Sequence, residues 1–279
     1  MVVVIRDRIL VAVVFVPIIF IVLFFLPAYA VTAIMALVCA VCAYELLHSI
    51  GSKGNERITI YAVFSAALIP VGAHFDKGEL VFTAVFLLLL CFTFMEAIIV
   101  FRTKRQIEYT HLMTTLFAGL LIPFMLSGLV NLKNMQEGRL FVLLPMISAF
   151  VTDAGAYFFG IFRGKHRAFP LISPRKTIEG YIGGLVLGSA AMLLYGGIIF
   201  LTTLYEVRLW ALVLYGIIGA AIAELGDLAF SLVKREFNIK DFGRLLPGHG
   251  GMLDRFDSMV FTAPTMYLLV SVIPAIIVD

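Results

Sequence analysis

The run Leu80–Phe101, LVFTAVFLLLLCFTFMEAIIVF, contains one acid, Glu96, and no base. No polar face repeats along it, so a helix made from it cannot lie on a water-facing surface. At 1.5 Å per residue it matches the hydrocarbon core of a bilayer, which takes about 20 apolar residues to cross. This run decides the fold class, and the rest of the chain repeats it.

The 279 residues are 62% hydrophobic and 14% charged, with a mean hydropathy of +1.05. Soluble domains carry about 25% charged residues. Spans are expected over 9–25, 28–47, 58–75, 80–101, 111–132, 139–162, 178–203, 209–233 and 258–278. The expected fold is therefore all-α, a polytopic transmembrane bundle of about nine helices. Pro27 divides the first two runs into a hairpin. The first run lacks a small-residue cleavage site before a polar mature domain, so it reads as a span, not a signal peptide. One integral membrane domain over 1–279 is the simplest organisation. Within it, 1–140 reads as an N-terminal helical scaffold and 141–279 as the catalytic half.

Orientation follows from the bases. With the N-terminus in the cytosol, only Lys77, Lys133, Arg139 and Arg208 fall outside, and the rest of the 21 Lys and Arg fall inside. The net charge of +3 is therefore topogenic or local, and gives no sign of nucleic-acid binding. Cys39 and Cys42 have C-x-x-C spacing, but without a second pair they read as small apolar residues on one helix face. Small residues also recur along Gly180-x₃-Gly184-x₃-Gly188 and Gly216-x₃-Ala220, which permits close helix contact. That contact reads as packing within the chain, with a homodimer seam as the alternative.

Glu45, Glu96, Asp153, Glu224 and Asp227 all fall near the cytosolic ends of their expected helices. Ionised groups in hydrocarbon are costly, so their gathering at one surface carries information. It suits a reaction site open to the cytosol better than a path across the membrane.

Chemistry concentrates in ELGDLAFSLVKREFNIKDFGRLLPGHGGMLDRFDS, Glu224 to Ser258. At 100° per residue, Glu224, Asp227, Ser231 and Lys234 share one helical face. Lys240, Asp241, Arg244 and His249 follow in a glycine-containing loop, and Asp254 and Asp257 share a face at the start of the last helix. Such oxygen ligands suit a hard cation like Mg²⁺, which takes one or two carboxylates and shares its other positions with water and phosphate. Arg and Lys suit phosphate oxygens, and the glycines let backbone N–H groups approach a ligand. A nucleoside triphosphate with magnesium fits this recipe.

The second polar loop, DAGAYFFGIFRGKHRAFPLISPRKTIEGYIGG, runs from Asp153 to Gly184. Asp153, Tyr157 and Gly160 share a helix face, while Arg163, Lys165, Arg167, Arg175 and Lys176 make a positive surface. Ser173-Pro174 reads as a cap followed by a proline at the first helical position. That reading places Arg175 and Lys176 at a helix N-terminus, where phosphates bind.

The run Ser231-x-Val233-Lys234-Arg235-x₄-Lys240-Asp241-x-Gly243-x₂-Leu246-Pro247-x-His249-Gly250-Gly251-Met252-x-Asp254-Arg255-Phe256-Asp257 resembles the signature of phosphatidate cytidylyltransferases, also called CDP-diacylglycerol synthases. The upstream block is similar too, with Asp153, Ala156-Tyr157, and Ser173-Pro174-Arg175-Lys176-Thr177-x-Glu179-Gly180. The motifs cover roughly 150–260; earlier spans agree only in hydropathy. Phe230 stands where relatives often carry an acid, and Arg175 where lysine is usual.

The resemblance implies that CTP and phosphatidic acid give CDP-diacylglycerol and pyrophosphate, with Mg²⁺ as cofactor and room for a second cation. It implies Asp227, Asp254 and Asp257 as metal ligands. Lys234, Arg235, Lys240 and Arg255 become candidates for CTP or the leaving pyrophosphate, with Gly250 and Gly251 beside them. Lys165, Ser173, Arg175 and Lys176 become candidates for a phosphate of either substrate. Ser231 and His249 are further candidates, and Asp241 is a candidate for orienting bases. A bacterial inner membrane is the expected location. The rival readings are a CTP-dependent polyprenol or other lipid kinase, a nine-span transporter, and a scaffold binding anionic lipid headgroups.

Overall fold

The structure, a computed structural model, describes residues 16–50, 56–101, 106–245 and 250–277. His249 lies outside these residues, as do the start of the first expected span and the bases Arg6, Arg8, Lys53, Arg102, Lys104 and Arg105. The described chain is helical through most of the apolar runs; the exception is the end of the last one, expected to be helix over 258–278, where the helix stops at Val272 and Ile276–Ile277 pair as a strand with Glu206–Val207. Its helices are α1 Val16–Phe25, α2 Ala28–Ser49, α3 Glu56–His74, α4 Gly78–Ile99, α5 Tyr109–Leu116, α6 Ile122–Asn134, α7 Gly138–Phe141, α8 Leu143–Arg163, α9 Ile178–Thr202, α10 Leu209–Glu236 and α11 Leu253–Val272. A π-helical turn, Phe117–Leu121, joins α5 to α6.

Among the described residues, seven helical stretches are long and apolar enough to cross a membrane. They are Ala28–Ser49, Glu56–His74, Gly78–Ile99, Tyr109–Asn134, Gly138–Arg163, Ile178–Thr202 and Leu209–Glu236. The protein is a multi-pass membrane protein. The last helix is not among the seven; it carries Asp254, Arg255 and Asp257 in its first two turns, and starts at Leu253, not at the expected 258. Two short antiparallel ribbons accompany the helices. Strands β1 Arg167–Phe169 and β2 Ser173–Thr177 form one, and β3 Glu206–Val207 and β4 Ile276–Ile277 form the other.

The chain forms two compact units. The first comprises residues 1–134 and 237–256, so the segment after α10 belongs with the N-terminal helices. Here α2 packs on α3 and α6, and α3 packs on α4. Leu46, Leu47, Ile58, Leu126, Leu129 and Leu132 are fully buried. Helix α4 presents Leu80, Phe86, Leu87, Leu88, Phe92, Met95 and Ile98 on its surface, an apolar exterior suited to lipid. At one end of this unit Arg57 pairs with Glu96 at 3.5 Å. The C-terminus of α2 and its Glu45 lie at the end where α3 begins.

The second unit comprises 135–236 and 257–279. Its core is α8, α9 and α10 in mutual contact. Lipid tails are as apolar as leucine, so such contact must come from close packing and polar bonds, which small residues permit. The glycine stripes do this within the chain. A Cβ on Gly184 would meet Glu224 Oε1 and the Thr152 carbonyl, one on Gly188 would meet Thr152 and Ala220, and one on Gly216 would meet the Ser189 backbone.

Candidate active site

In the second unit, three helices and one ribbon bring charge to a common end. Helix α8 presents Asp153, Tyr157 and Gly160, the face its sequence spacing predicts. Helix α10 presents Asp227, and α9 presents Gly180 and Tyr181. With Arg167, Arg175 and Lys176 of the β1–β2 ribbon they line a cavity of about 570 Å³.

The ribbon corrects one expectation. Ser173–Thr177 is a strand, not the first turn of a helix, with Arg167 opposite Thr177 and Phe169 opposite Ser173. Helix α9 starts at Ile178, where the Thr177 hydroxyl accepts the Gly180 N–H at 3.1 Å. Proline is as compatible with an extended edge as with a helix start, and pairing with Arg167–Phe169 selects the strand. Glu179 then fastens the ribbon to α9. Its Oε2 accepts the backbone N–H groups of Lys165 and His166, and its Oε1 meets His166 Nδ1 at 2.6 Å. At the far turn, Arg235 Nε donates to the Ile172 carbonyl at 3.1 Å. Arg235 thus ties α10 to the ribbon, and Lys165 stays exposed beside it.

The cavity's electrostatic centre is the ion pair of Lys176 with Asp227, whose side chains are only 22% and 25% exposed. Burial favours the neutral amine of Lys176, but the Asp227 charge and hydrogen bond, with Asp153 beyond, outweigh it and hold the ammonium above its ordinary value. Lys176 also lies over the Tyr181 ring, 5.4 Å from its centre. One turn along α10, Ser231 Oγ donates to Asp227 Oδ1 at 3.4 Å. Lys234 Nζ is 3.7 Å from Asp257 Oδ2, whose Oδ1 accepts the Ser258 N–H at 2.8 Å. Ser258 Oγ in turn reaches Asp153 at 3.4 Å. Asp153, which sequence reasoning noticed on its helix face but did not assign to the site, thus joins Asp227 and Asp257 within electrostatic reach.

The signature loop lies in the first unit. Lys240, Asp241, Phe242, Gly243 and Arg244, with His48 and Ser49 of α2, line a cavity of about 660 Å³. Asp254 is buried, and its Oδ2 accepts two backbone N–H groups, from Phe242 at 2.9 Å and Gly251 at 2.8 Å. Gly250 adopts a φ of 81°, a conformation that a side chain would strain, and a Cβ there would meet Asp254 Oδ2. Arg255 is partly buried in the first turn of α11.

Among the described residues, no group of three or more His, Cys, Asp and Glu side chains is gathered as a ready-made metal cage. Asp227 and Asp257 each face a lysine instead. That donor set fits a cation that binds one or two carboxylates and completes its shell with phosphate and water. It does not resemble a closed structural site.

Fold and site define a class: a polytopic helical membrane protein with partly buried carboxylate–lysine pairs and a basic ribbon suited to phosphate groups. The sequence model described as "Cytidylyltransferase family" matches residues 6–273, and the chain belongs to that family. Among its relatives, a phosphatidate cytidylyltransferase of Staphylococcus haemolyticus is 34% identical over 216 residues, covering 77% of this chain and 80% of the relative. Proteins of the same name from Staphylococcus saprophyticus and Staphylococcus aureus are 43% and 42% identical over 137 and 140 residues. Those two matches cover 49% of this chain and 51% of each relative, so this chain spans about half the length of these two.

Proposed function

We propose that the protein is a phosphatidate cytidylyltransferase of a bacterial cell membrane, forming CDP-diacylglycerol and pyrophosphate from CTP and phosphatidic acid. The observation that supports this most is the cavity of the second unit. It places Lys176 and Arg175 beside Asp227 and Asp153, at the end of α8–α10 where exposed Tyr157, Phe158 and Ile161 offer an apolar flank. One substrate is soluble and the other is held in lipid, so a polar cavity with an apolar flank meets both demands. The bias of Lys and Arg supports a cytosolic setting for this end and for the chain's N-terminus.

In the reaction, an oxygen of the phosphatidate phosphate forms a bond to the α-phosphorus of CTP. The bond from that phosphorus to its bridging oxygen breaks, and pyrophosphate leaves with the electron pair. The nucleophile is already an anion, so no covalent enzyme intermediate is required. The chain's task is to hold two polyanions together and stabilise charge as it spreads. Lys176 and Arg175 bind phosphate oxygens, and Lys234 stabilises the departing charge. Lys165 and Ser173 extend the ribbon's phosphate surface; Arg235 is a further contact for the triphosphate, and Lys240 and Arg255 give the first unit phosphate-binding groups of its own. Gly250 and Gly251 lie beside Asp254 at the start of α11, and His249 is a further candidate for a phosphate contact.

Asp227 and Asp257 are the residues that would hold Mg²⁺, with Asp153 beside them. Bound there, the ion supplies neutralisation of phosphate charge. Asp254 already gives one oxygen to two backbone N–H groups, so its first role is to shape the loop.

The test is the fate of label. Purified protein given phosphatidate and α-labelled CTP should yield a lipid-soluble cytidine product and release pyrophosphate. A lipid kinase would instead move the γ-phosphoryl group and release CDP, and that result would overturn the proposal.

A further inference from the structure

The N-terminal helices have no part in the proposed chemistry, yet one of their acids reaches into the signature loop. Glu45 lies one turn from the end of α2 and is only 6% exposed. Its Oε2 accepts the N–H of Leu253, the first residue of α11, at 2.9 Å across 208 positions of sequence. The carboxylate is wedged between two loop glycines. A Cβ on Gly243 would meet Glu45 Oε1, Cδ and Cγ, and one on Gly251 would meet both of its oxygens. Gly251 in turn gives its N–H to Asp254 Oδ2, as does Phe242.

We infer that Glu45 is a positioning residue for cytidylyl transfer: its carboxylate clamps the loop that displays Lys240, Asp241 and Arg244, and so makes α2 part of the substrate-binding apparatus. The physical reason lies at the start of α11. The first N–H groups of a helix have no partner within it, and the helix end carries partial positive charge. A buried carboxylate satisfies both needs where a neutral side chain satisfies one. A side chain at either glycine would take the room that the carboxylate occupies. The residues that lead up to Gly243, from Ile239, and Arg244 after it line, with His48 and Ser49 from the end of α2, the basic cavity of the first unit. His48 is itself held by stacking on Tyr44, 5.4 Å between ring centres. Clamp and cavity wall thus come from one helix end.

The activity arm rests on the proposed function, so two measurements are needed. The first is amide hydrogen exchange by mass spectrometry on the full-length protein in detergent. Glu45→Ala should raise exchange at least tenfold in peptides covering Gly250–Phe256, while α8–α10 peptides stay at wild-type rates. Unchanged exchange there would overturn the clamp whatever the protein catalyses. The second is steady-state kinetics with CTP and phosphatidate. Glu45→Ala should raise KM for CTP about tenfold and leave KM for phosphatidate within about twofold. Glu45→Gln keeps an acceptor for Leu253 and should fall between. Gly243→Ala, which pushes on the carboxylate from the loop side, should reproduce the shift. A Glu45→Ala enzyme that loses only kcat, in proportion to its folded fraction, would reduce Glu45 to a stability residue and overturn the inference. A wild type with no cytidylyl transfer would instead contradict the proposed function and leave the exchange result to judge the clamp.

Discussion

Replacing Lys176 by methionine keeps the length of the side chain and removes its charge. Two consequences can be separated. In the resting protein, Asp227 loses the ammonium that faces it and remains three-quarters buried, with Asp153 nearby. Leaving one member of such a pair costs roughly 1–3 kcal/mol of stability, short of the full penalty for a deeply buried charge. During turnover, a charge-assisted contact to phosphate is lost, worth about 1.5–3 kcal/mol. At about 1.4 kcal/mol per factor of ten, kcat/KM should fall about 10- to 150-fold. The double variant Lys176→Met/Asp227→Asn removes both charges. It should recover most of the thermal stability and none of the activity. The assay is transfer of α-label from CTP into the lipid phase, beside a melting curve in the same detergent. A Lys176→Met enzyme within about twofold of wild-type kcat/KM would refute the reasoning. So would a double variant whose activity returns along with its stability.

The remaining predictions concern the same cavity. Asp227→Asn and Asp257→Asn should each weaken Mg²⁺ binding, raising the Mg²⁺ concentration for half-maximal rate about tenfold or more; titration of Mg²⁺ at fixed CTP reads this. Lys176 is held above its ordinary 10.5 by Asp227. The stability it contributes is therefore complete below that value and lost as pH rises through the higher folded one. The stability gap between wild type and Lys176→Met should accordingly stay constant across neutral pH and narrow only in strong alkali, as melting curves at stepped pH would show. Glu179→Gln should loosen the β1–β2 ribbon and raise KM for at least one substrate, with little change in melting temperature. Gly184→Ala would push a methyl group against Glu224 Oε1 and the Thr152 carbonyl. Overpacking of this kind costs about 1–3 kcal/mol, so its melting temperature should drop below that of wild type.

The membrane helices were legible because a bilayer imposes length and composition on every crossing, and nothing local competes with that constraint. The acids at the polar ends were legible for the same reason, since an ionised side chain among apolar neighbours requires an explanation. Helical phase also carried real information. Asp153, Tyr157 and Gly160 share a face by spacing alone, and all three line the cavity.

What escaped was decided by partners far away in sequence. Ser173-Pro174 carries the local marks of a helix start, and only pairing with Arg167–Phe169 makes it a strand. Asp254 and Asp257 look equivalent at i and i+3. Yet Asp254 turns one oxygen to the loop backbone, whereas Asp257 meets Lys234. The grouping of Phe237–Phe256 with the N-terminal helices, and the reach of Glu45 to Leu253, depend on contacts no periodicity encodes.

The central claim is that the phosphates of both substrates meet in the cavity between α8, the β1–β2 ribbon and α10. A density map of the protein with Mg²⁺, phosphatidate and a non-reactive CTP analogue tests it most directly. The account predicts phosphate density within hydrogen-bonding distance of Lys176 and an ion bridging it to Asp227 or Asp257. Nucleotide bound elsewhere, with Lys176 and Asp227 still closed on each other, would contradict it.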